Sequence, residues 1–260
     1  MSESNAYARL CQWRVVSASV SGTSHQSRGL PCQDAYRCSL LPEGVLVAAV
    51  ADGAGSAALG EVGATVAAQT AVETVCSHLE KPGLLEDELE LLLSDAIKSA
   101  RMAVEAEAEA RQVNVRELAT TLILVVATPE LVGAVQVGDG AAVVGDRQGN
   151  IIALTAPQSG EYINETAFLN SPDAVEKAQL TVRQAQTAHV AVFSDGLQML
   201  ALKMPEGTPH APFFAPLFRF VEGIMDDPEA QAELVAFLRS PRVTSRTDDD
   251  LTLLLATLVD

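Results

Sequence analysis

Apolar residues recur along this chain at two spacings, and the spacing changes four times. Gln12–Gly22 is rich in β-branched residues and reads as a strand, and Val45–Ala51 is an unbroken apolar run of the kind that forms a buried strand. Ala57–Leu79 then places Val62, Val66, Val72, Val75 and Leu79 at helical intervals, and Lys81, Pro82 and Gly83 stop it. A second helix is predicted over Leu84–Gln112. Its stripe is Leu89, Leu93, Ile97, Ala100 and Val104, and its opposite face carries Glu86, Glu88, Glu90, Glu105 and Glu109, a solvated surface. From Ala119 the pattern is that of strands again. Ala119–Thr128, Leu131–Val137, Ala141–Gly145 and Asn150–Leu154, separated by short turns, predict an antiparallel meander. Gln179–Arg183 and His189–Phe193 are further strands, Phe213–Met225 and Pro228–Leu238 are helices, and Leu251–Leu258 is a closing strand. Thr23–Gln33, with Gly29 and Pro31, and Thr155–Asp173, with no clear period, read as loops.

This order does not alternate strand and helix, so a parallel sheet of βαβ units is excluded. Packed antiparallel sheets with segregated helices fit, which is an α+β architecture. No linker and no repeat interrupts the 260 residues, so one domain is expected, with the polar Met1–Leu10 as a flexible N-terminus. A hydrophobic content of 48% is that of a folded chain. The net charge of −17 argues against nucleic acid and against an anionic membrane surface as partners. No apolar stretch is long enough for a membrane span, and the N-terminus lacks the apolar core of a signal peptide. Cys11, Cys32, Cys38 and Cys76 form no Cys-x-x-Cys pair and are expected to be thiols in a reducing cytoplasm. Cys32 and Arg37 are one residue too close for the Cys-x5-Arg loop of a cysteine phosphatase.

Three apolar runs end in Asp-Gly: Val45–Ala51 before Asp52, Leu131–Gly138 before Asp139, and His189–Ser194 before Asp195. The acidic triple Asp248, Asp249 and Asp250 stands directly before the last strand. Rigid strand ends can hold several carboxylates at one sheet edge, where a pair 4 Å apart repels by roughly 4 kcal/mol at an effective dielectric near 20. No Lys or Arg lies between Arg37 and Lys81 to offset this around Asp52. Oxygen-only ligands suit Mg²⁺ or Mn²⁺. Asp52 and Gly53 open a strand-to-helix loop, and Asp195 precedes a short helical piece. Asp139 with Gly140, between two apolar runs, reads equally as a hairpin turn or as part of the acidic set.

Taken in order, Gln33-Asp34-Ala35, Asp52-Gly53-Ala54-Gly55, Gly138-Asp139-Gly140, Ser194-Asp195-Gly196 and Asp249-Asp250-Leu251-Thr252 resemble the motif series of the metal-dependent protein phosphatases of type 2C. The resemblance spans roughly Trp13 to Leu258. The stretches Gly22–His25, Pro31–Ala35 and Gly160–Asn164 are similar to a compact bacterial branch of that family. It implies a four-layer α/β/β/α sandwich, two antiparallel sheets face to face with helix pairs outside. It also implies a serine/threonine phosphatase using two Mn²⁺ or Mg²⁺ ions, with a third weaker site, and a phosphorylated protein as substrate, with a serine/threonine kinase as its counterpart. By the same resemblance Asp52 would bridge two metals and the Gly53 carbonyl would bind one. Asp195 and Asp249, with Asp248 as the alternative to Asp249 in the acidic triple, would bind the other, Asp34 would hold water beside the metals, and Asp139 would belong to the third site.

The chain departs from the family in three places. Ala54 stands where the family often has a proton-donating His, Gln33 replaces a Glu, and Gly29 occupies the place of a phosphate-binding Arg, with Arg28 adjacent as its candidate substitute. Ala54 and Gly29 keep open a catalytically weak relative that binds phosphoproteins or regulates. An aspartyl-phosphate enzyme is disfavoured because Ala54 stands where its second Asp is needed. His25 in the first loop is a candidate proton donor or a plain loop His. Cys32 is a redox-sensitive or simply a buried thiol. Glu161 and Asn164 either line the site or belong to a connecting loop. Phe213, Phe214, Phe218 and Phe220 are expected to pack an outer helix rather than dock a partner.

Overall fold

The computed structural model describes residues 12–79, 84–158 and 166–259. Met1–Leu10, Cys11, the predicted stop at Lys81–Gly83, and Glu161 and Asn164 lie outside the described residues. The chain begins with β1 (Gln12–Val20), α1 (Thr23–Arg28), β2 (Asp34–Leu41) and β3 (Val45–Asp52). The long helices α2 (Gly60–His78) and α3 (Glu86–Arg111) follow. After them come β4 (Leu122–Ala127), β5 (Leu131–Val137), β6 (Ala141–Gly145), β7 (Ile151–Ala153), β8 (Gln179–Gln184) and β9 (His189–Phe193). The chain ends through α4 (Gln198–Ala201), β10 (Leu202–Lys203), β11 (Thr208–Pro209), α5 (Ala211–Glu222), α6 (Asp227–Leu238), α7 (Pro241–Thr244) and β12 (Leu251–Val259).

Two five-stranded sheets result, in the orders β2-β3-β4-β5-β8 and β1-β12-β9-β6-β7, with every pair antiparallel. The strand period of two then sorts residues into layers. In β3, Leu46, Ala48 and Val50 meet Val190, Val192, Leu254 and Ala256 of the other sheet. The intervening Val47, Ala49 and Ala51 face α2 and α3, packing with Ala64, Ala67, Ala71, Leu93 and Ile97. A strand covered on both faces needs no polar positions, which is why Val45–Ala51 is apolar without a break. The same holds for β12, whose Leu253 and Leu255 pack outward against Phe214, Phe218, Val221 and Leu234 of α5 and α6. The fold is the expected α/β/β/α sandwich.

α3 buries the predicted stripe of Leu89, Leu93, Ile97, Ala100 and Val104 and exposes the glutamates opposite. Ile97 is 1% exposed within the core between α2, α3 and the sheet. Ile97→Ala is expected to cost about 2–5 kcal/mol, read as a lower denaturation midpoint with an unchanged slope. The phenylalanines pack as predicted. Phe214 and Phe218 are buried, and Phe213 stands edge-on to Phe214 at 5.1 Å between centroids.

Three sequence expectations are corrected. The segment Thr23–Gln33 is not all loop, because Thr23–Arg28 winds into α1 and stops at Gly29 in the left-handed conformation. Asp34–Leu41 is a strand that the sequence reading left out; only half-buried along most of its length, it carries no clear alternation. The meander is broken between β5 and β6, which belong to different sheets. Asp139 and Gly140 therefore cross from one sheet to the other, and the hairpin-turn alternative falls.

Candidate metal centre

The hairpin of β2 and β3 places Asp34 directly opposite Asp52, the first residue of one strand against the last of the other. Like charges so placed destabilise a strand pair, so this juxtaposition has a purpose other than stability. The backbone of Asp52 is held from the far side. Its nitrogen donates to Thr121 Oγ1 at 2.9 Å, and its carbonyl accepts from the Thr121 nitrogen at 2.8 Å and from Thr120 Oγ1 at 3.0 Å. Asp195 opens the helical turn after β9, Asp139 sits on the sheet crossing, and Asp249 immediately precedes β12's neighbour Asp250. Since β12, β9 and β6 are adjacent in one sheet, their ends meet at one edge.

Carboxylate oxygens of Asp52, Asp139 and Asp195 lie within 4.8 Å of one another. They line an open cavity of about 270 Å³ together with Gly53, His25, Arg28 and Asp249. Asp249 is exposed at the rim, where its Oδ1 accepts from the Asp250 nitrogen at 2.8 Å. Asp34 is buried beneath; Ser194 Oγ donates to its Oδ2 at 2.7 Å, while Oδ1 has no hydrogen-bond partner among the described residues. Thr166 donates to Asp139 Oδ2 at 2.8 Å. Arg28 is exposed at the cavity mouth, its guanidinium bonded back to the Ser24 carbonyl and hydroxyl, each at 3.2 Å.

The glycines of the Asp-Gly pairs serve close backbone approach rather than turns. A Cβ on Gly53 would stand 2.4 Å from the Gly60 backbone at the start of α2, and one on Gly196 would stand 2.2 Å from the Asp250 carbonyl oxygen. Neither has a positive φ. The second contact locks the Asp195 turn against the acidic triple.

Burial and mutual repulsion hold these acids toward the neutral form. Burial, then Asp139 and Asp249, push Asp195 up to about 7. Burial raises Asp34 to about 6 against the opposing Ser194 hydroxyl. Asp52 is raised well above the carboxylate range by burial and then by Asp34 and Asp195, and Asp139 is raised chiefly by burial. Among the described residues no Lys or Arg forms an ion pair with any of them. Hard oxygen donors at this spacing, an orphaned carboxylate oxygen beneath them and no internal cation together fit divalent ions.

Asp250, which the sequence marks only as a member of the acidic triple with no role of its own, is the most connected acid here. At 2% exposure it accepts from the Gly22 nitrogen at 2.7 Å, the Gln33 nitrogen at 2.6 Å and His25 Nδ1 at 2.8 Å. The signal was its place at the strand-proximal end of the acidic triple, where the next residue is already core. Cys32 lies half-buried beside it, and burial with the charges of Asp34 and Asp250 pushes its thiol far up, against a redox-reactive thiolate.

A sandwich of two antiparallel sheets with acids converging at one edge defines a class, and the sequence comparisons agree: the chain belongs to the protein phosphatase 2C family, whose profile matches residues 21–239. Among individual proteins, it is 38% identical to serine/threonine-protein phosphatase 3 of Escherichia coli (strain K12), over 94% of this chain and 98% of that protein. Its fold is similar to the serine/threonine phosphatase Stp1 from Staphylococcus aureus (TM-score 0.63, 16% identity, covering 95% of each chain). It is also similar to the catalytic domain of the phosphatase PstP, whose structure is a complex with two manganese ions (TM-score 0.60, 19% identity, covering 95% of this chain and 99% of that one). No helix of the described residues is long and apolar enough to cross a membrane.

Proposed function

We propose that this phosphatase hydrolyses phosphoserine and phosphothreonine in proteins by direct attack of water at phosphorus, with two divalent ions held by Asp52, the Gly53 carbonyl, Asp195 and Asp249. The observation that carries this reading is the cluster of Asp52, Asp139 and Asp195 in one open cavity, with no Lys or Arg among the described residues ion-paired to any of them. Mn²⁺ or Mg²⁺ would supply there an acidified water and positive charge opposite the phosphoryl oxygens. Asp34, fixed through Ser194, would orient the attacking water from below. Asp139, steadied by Thr166, would serve a third ion. Arg28, free at the mouth except for its bonds to Ser24, would grip the phosphate by swinging off its own helix. No covalent enzyme intermediate is required. The whole chain, residues 1–260, would act as one catalytic domain in the cytoplasm, opposing a serine/threonine kinase, with neither nucleic acid nor membrane as partner.

Phosphate release from a phosphoserine peptide in the presence of Mn²⁺, brought to background by chelator and restored by excess metal, is the expected result. A second reading is a phosphoprotein-binding module with little turnover. It is favoured by Ala54, which is 7% exposed in a small apolar cluster with Ala57 and Ala119 and offers no proton. Peptide binding without phosphate release under those conditions would decide for it.

A further inference from the structure

A seryl or threonyl oxygen leaves phosphorus as a strongly basic alkoxide unless a proton meets it, and Ala54 cannot supply one. His25 can. It sits on α1 three residues before Arg28, so the two share a helical face. Both line the cavity that holds Asp52, Asp139 and Asp195. Although His25 is only 5% exposed, its Nδ1 lies 2.8 Å from Asp250 Oδ2. Asp250 is itself fixed by backbone donors at Gly22 and Gln33, which mark it as an acceptor and so assign the Nδ1 proton to His25. Nε2 makes no hydrogen bond to any described residue. A buried carboxylate that sets the tautomer and supplies a counter-charge, with the opposite ring nitrogen left for a cavity, is the arrangement of a positioned acid–base histidine.

We propose that His25 is the general acid of this phosphatase, donating from Nε2 to the leaving seryl or threonyl oxygen, and that Asp250 is its positioning residue. The inference rests on the hydrolysis proposed above. Water oxygen forms the new bond to phosphorus while the P–O bond to the side chain breaks, its electron pair staying on the side-chain oxygen. The Nε2 proton passes to that oxygen, giving the free alcohol. The proton released from the attacking water goes to solvent, and solvent reprotonates Nε2.

The test uses leaving groups that differ in their need for a proton. The wild-type chain, H25Q and D250N are assayed with Mn²⁺ on a phosphoserine peptide and on p-nitrophenyl phosphate, whose phenolate departs without protonation. H25Q is expected to lower kcat on the peptide by about 10²–10³-fold and on the aryl ester by less than about fivefold, with D250N showing the same selectivity in weaker form. Equal losses on both substrates, or none on the peptide, would overturn the assignment, since a purely structural role cannot tell leaving groups apart. Should H25Q fail to fold by circular dichroism, a series of aryl and alkyl phosphates on the wild type decides. A shallow dependence of rate on leaving-group basicity supports an internal acid, and a steep decline refutes it. If the wild type hydrolyses neither substrate, the phosphatase reading itself fails and takes this inference with it.

Discussion

Asn at position 52 is expected to abolish turnover while leaving the metal-free protein as stable as the wild type or more so. The substitution Asp52→Asn keeps size and shape and removes the charge that faces Asp34, Asp195 and Asp249. The backbone of residue 52 is fixed by Thr120 and Thr121, not by its own side chain, so the strand end should hold its place. Loss of the proposed bridging carboxylate should cut kcat on the order of 10⁴-fold, equivalent to about 5.5 kcal/mol of transition-state stabilisation. Metal affinity should fall in parallel, measured by titration calorimetry with Mn²⁺. Stability should move the other way, because a buried carboxylate repelled by its neighbours opposes folding whenever it is ionised. A folded variant retaining turnover within about tenfold of the wild type would remove Asp52 from the role assigned to it. A melting temperature that drops in the absence of metal would show instead that this carboxylate is structural.

That opposition between stability and activity also explains what the sequence disclosed and what it withheld. Strands buried on both faces, such as Val45–Asp52 and Leu251–Val259, announced themselves as continuous apolar runs. The stripe of α3 was legible for the complementary reason that one of its faces is wet. The acidic residues stood out because they break these runs at their ends, where no local structural need calls for them. What stayed hidden is set by long-range geometry. Half-buried β2 offers neither a run nor an alternation, so its pairing with β3, and with it the facing of Asp34 and Asp52, could not be read locally. The crossing at Asp139 looks like a hairpin to any argument that sees only two apolar runs and a turn. Gly53 and Gly196 also make room for Gly60 and Asp250, partners that only the folded chain brings near. The bonds of Asp250 to Gly22, His25 and Gln33 span more than 200 positions, so its role as an anchor exists only where β1 and β12 are paired.

Metal-free protein is further expected to lose stability as pH rises from about 4 to 7, and added Mn²⁺ to stabilise it most at the upper end. A carboxyl whose pKa is higher in the folded state than in the unfolded one, near 3.9, contributes stability fully below that value and loses it as pH rises through the folded pKa. Asp34, raised to about 6, and Asp195, raised to about 7, therefore place the loss between pH 4 and 7, and Asp52 and Asp139 shift in the same direction. The carboxylates lowered by local hydrogen bonds, Asp146 and Asp173, are surface groups that titrate below this window and do not offset it. His189, lowered by burial, works in the opposite sense near neutrality but stands for one group against several. Because the acids share one cavity their effects do not add, and a combined loss on the order of 3–5 kcal/mol, or about 10 °C in melting temperature, is the reasonable scale. Bound divalent ions reverse the sign by making the ionised set the favoured one, and mass action then adds stability in proportion to the logarithm of metal concentration. Asp195→Asn should flatten the metal-free profile, since it deletes a titrating group together with its repulsion. Thermal melts at pH 5, 6, 7 and 8, with and without Mn²⁺, measure all of this. A metal-free melting temperature that climbs with pH, or a profile that Asp195→Asn leaves untouched, would mean that these carboxylates are not the crowded set on which hydrolysis has been built.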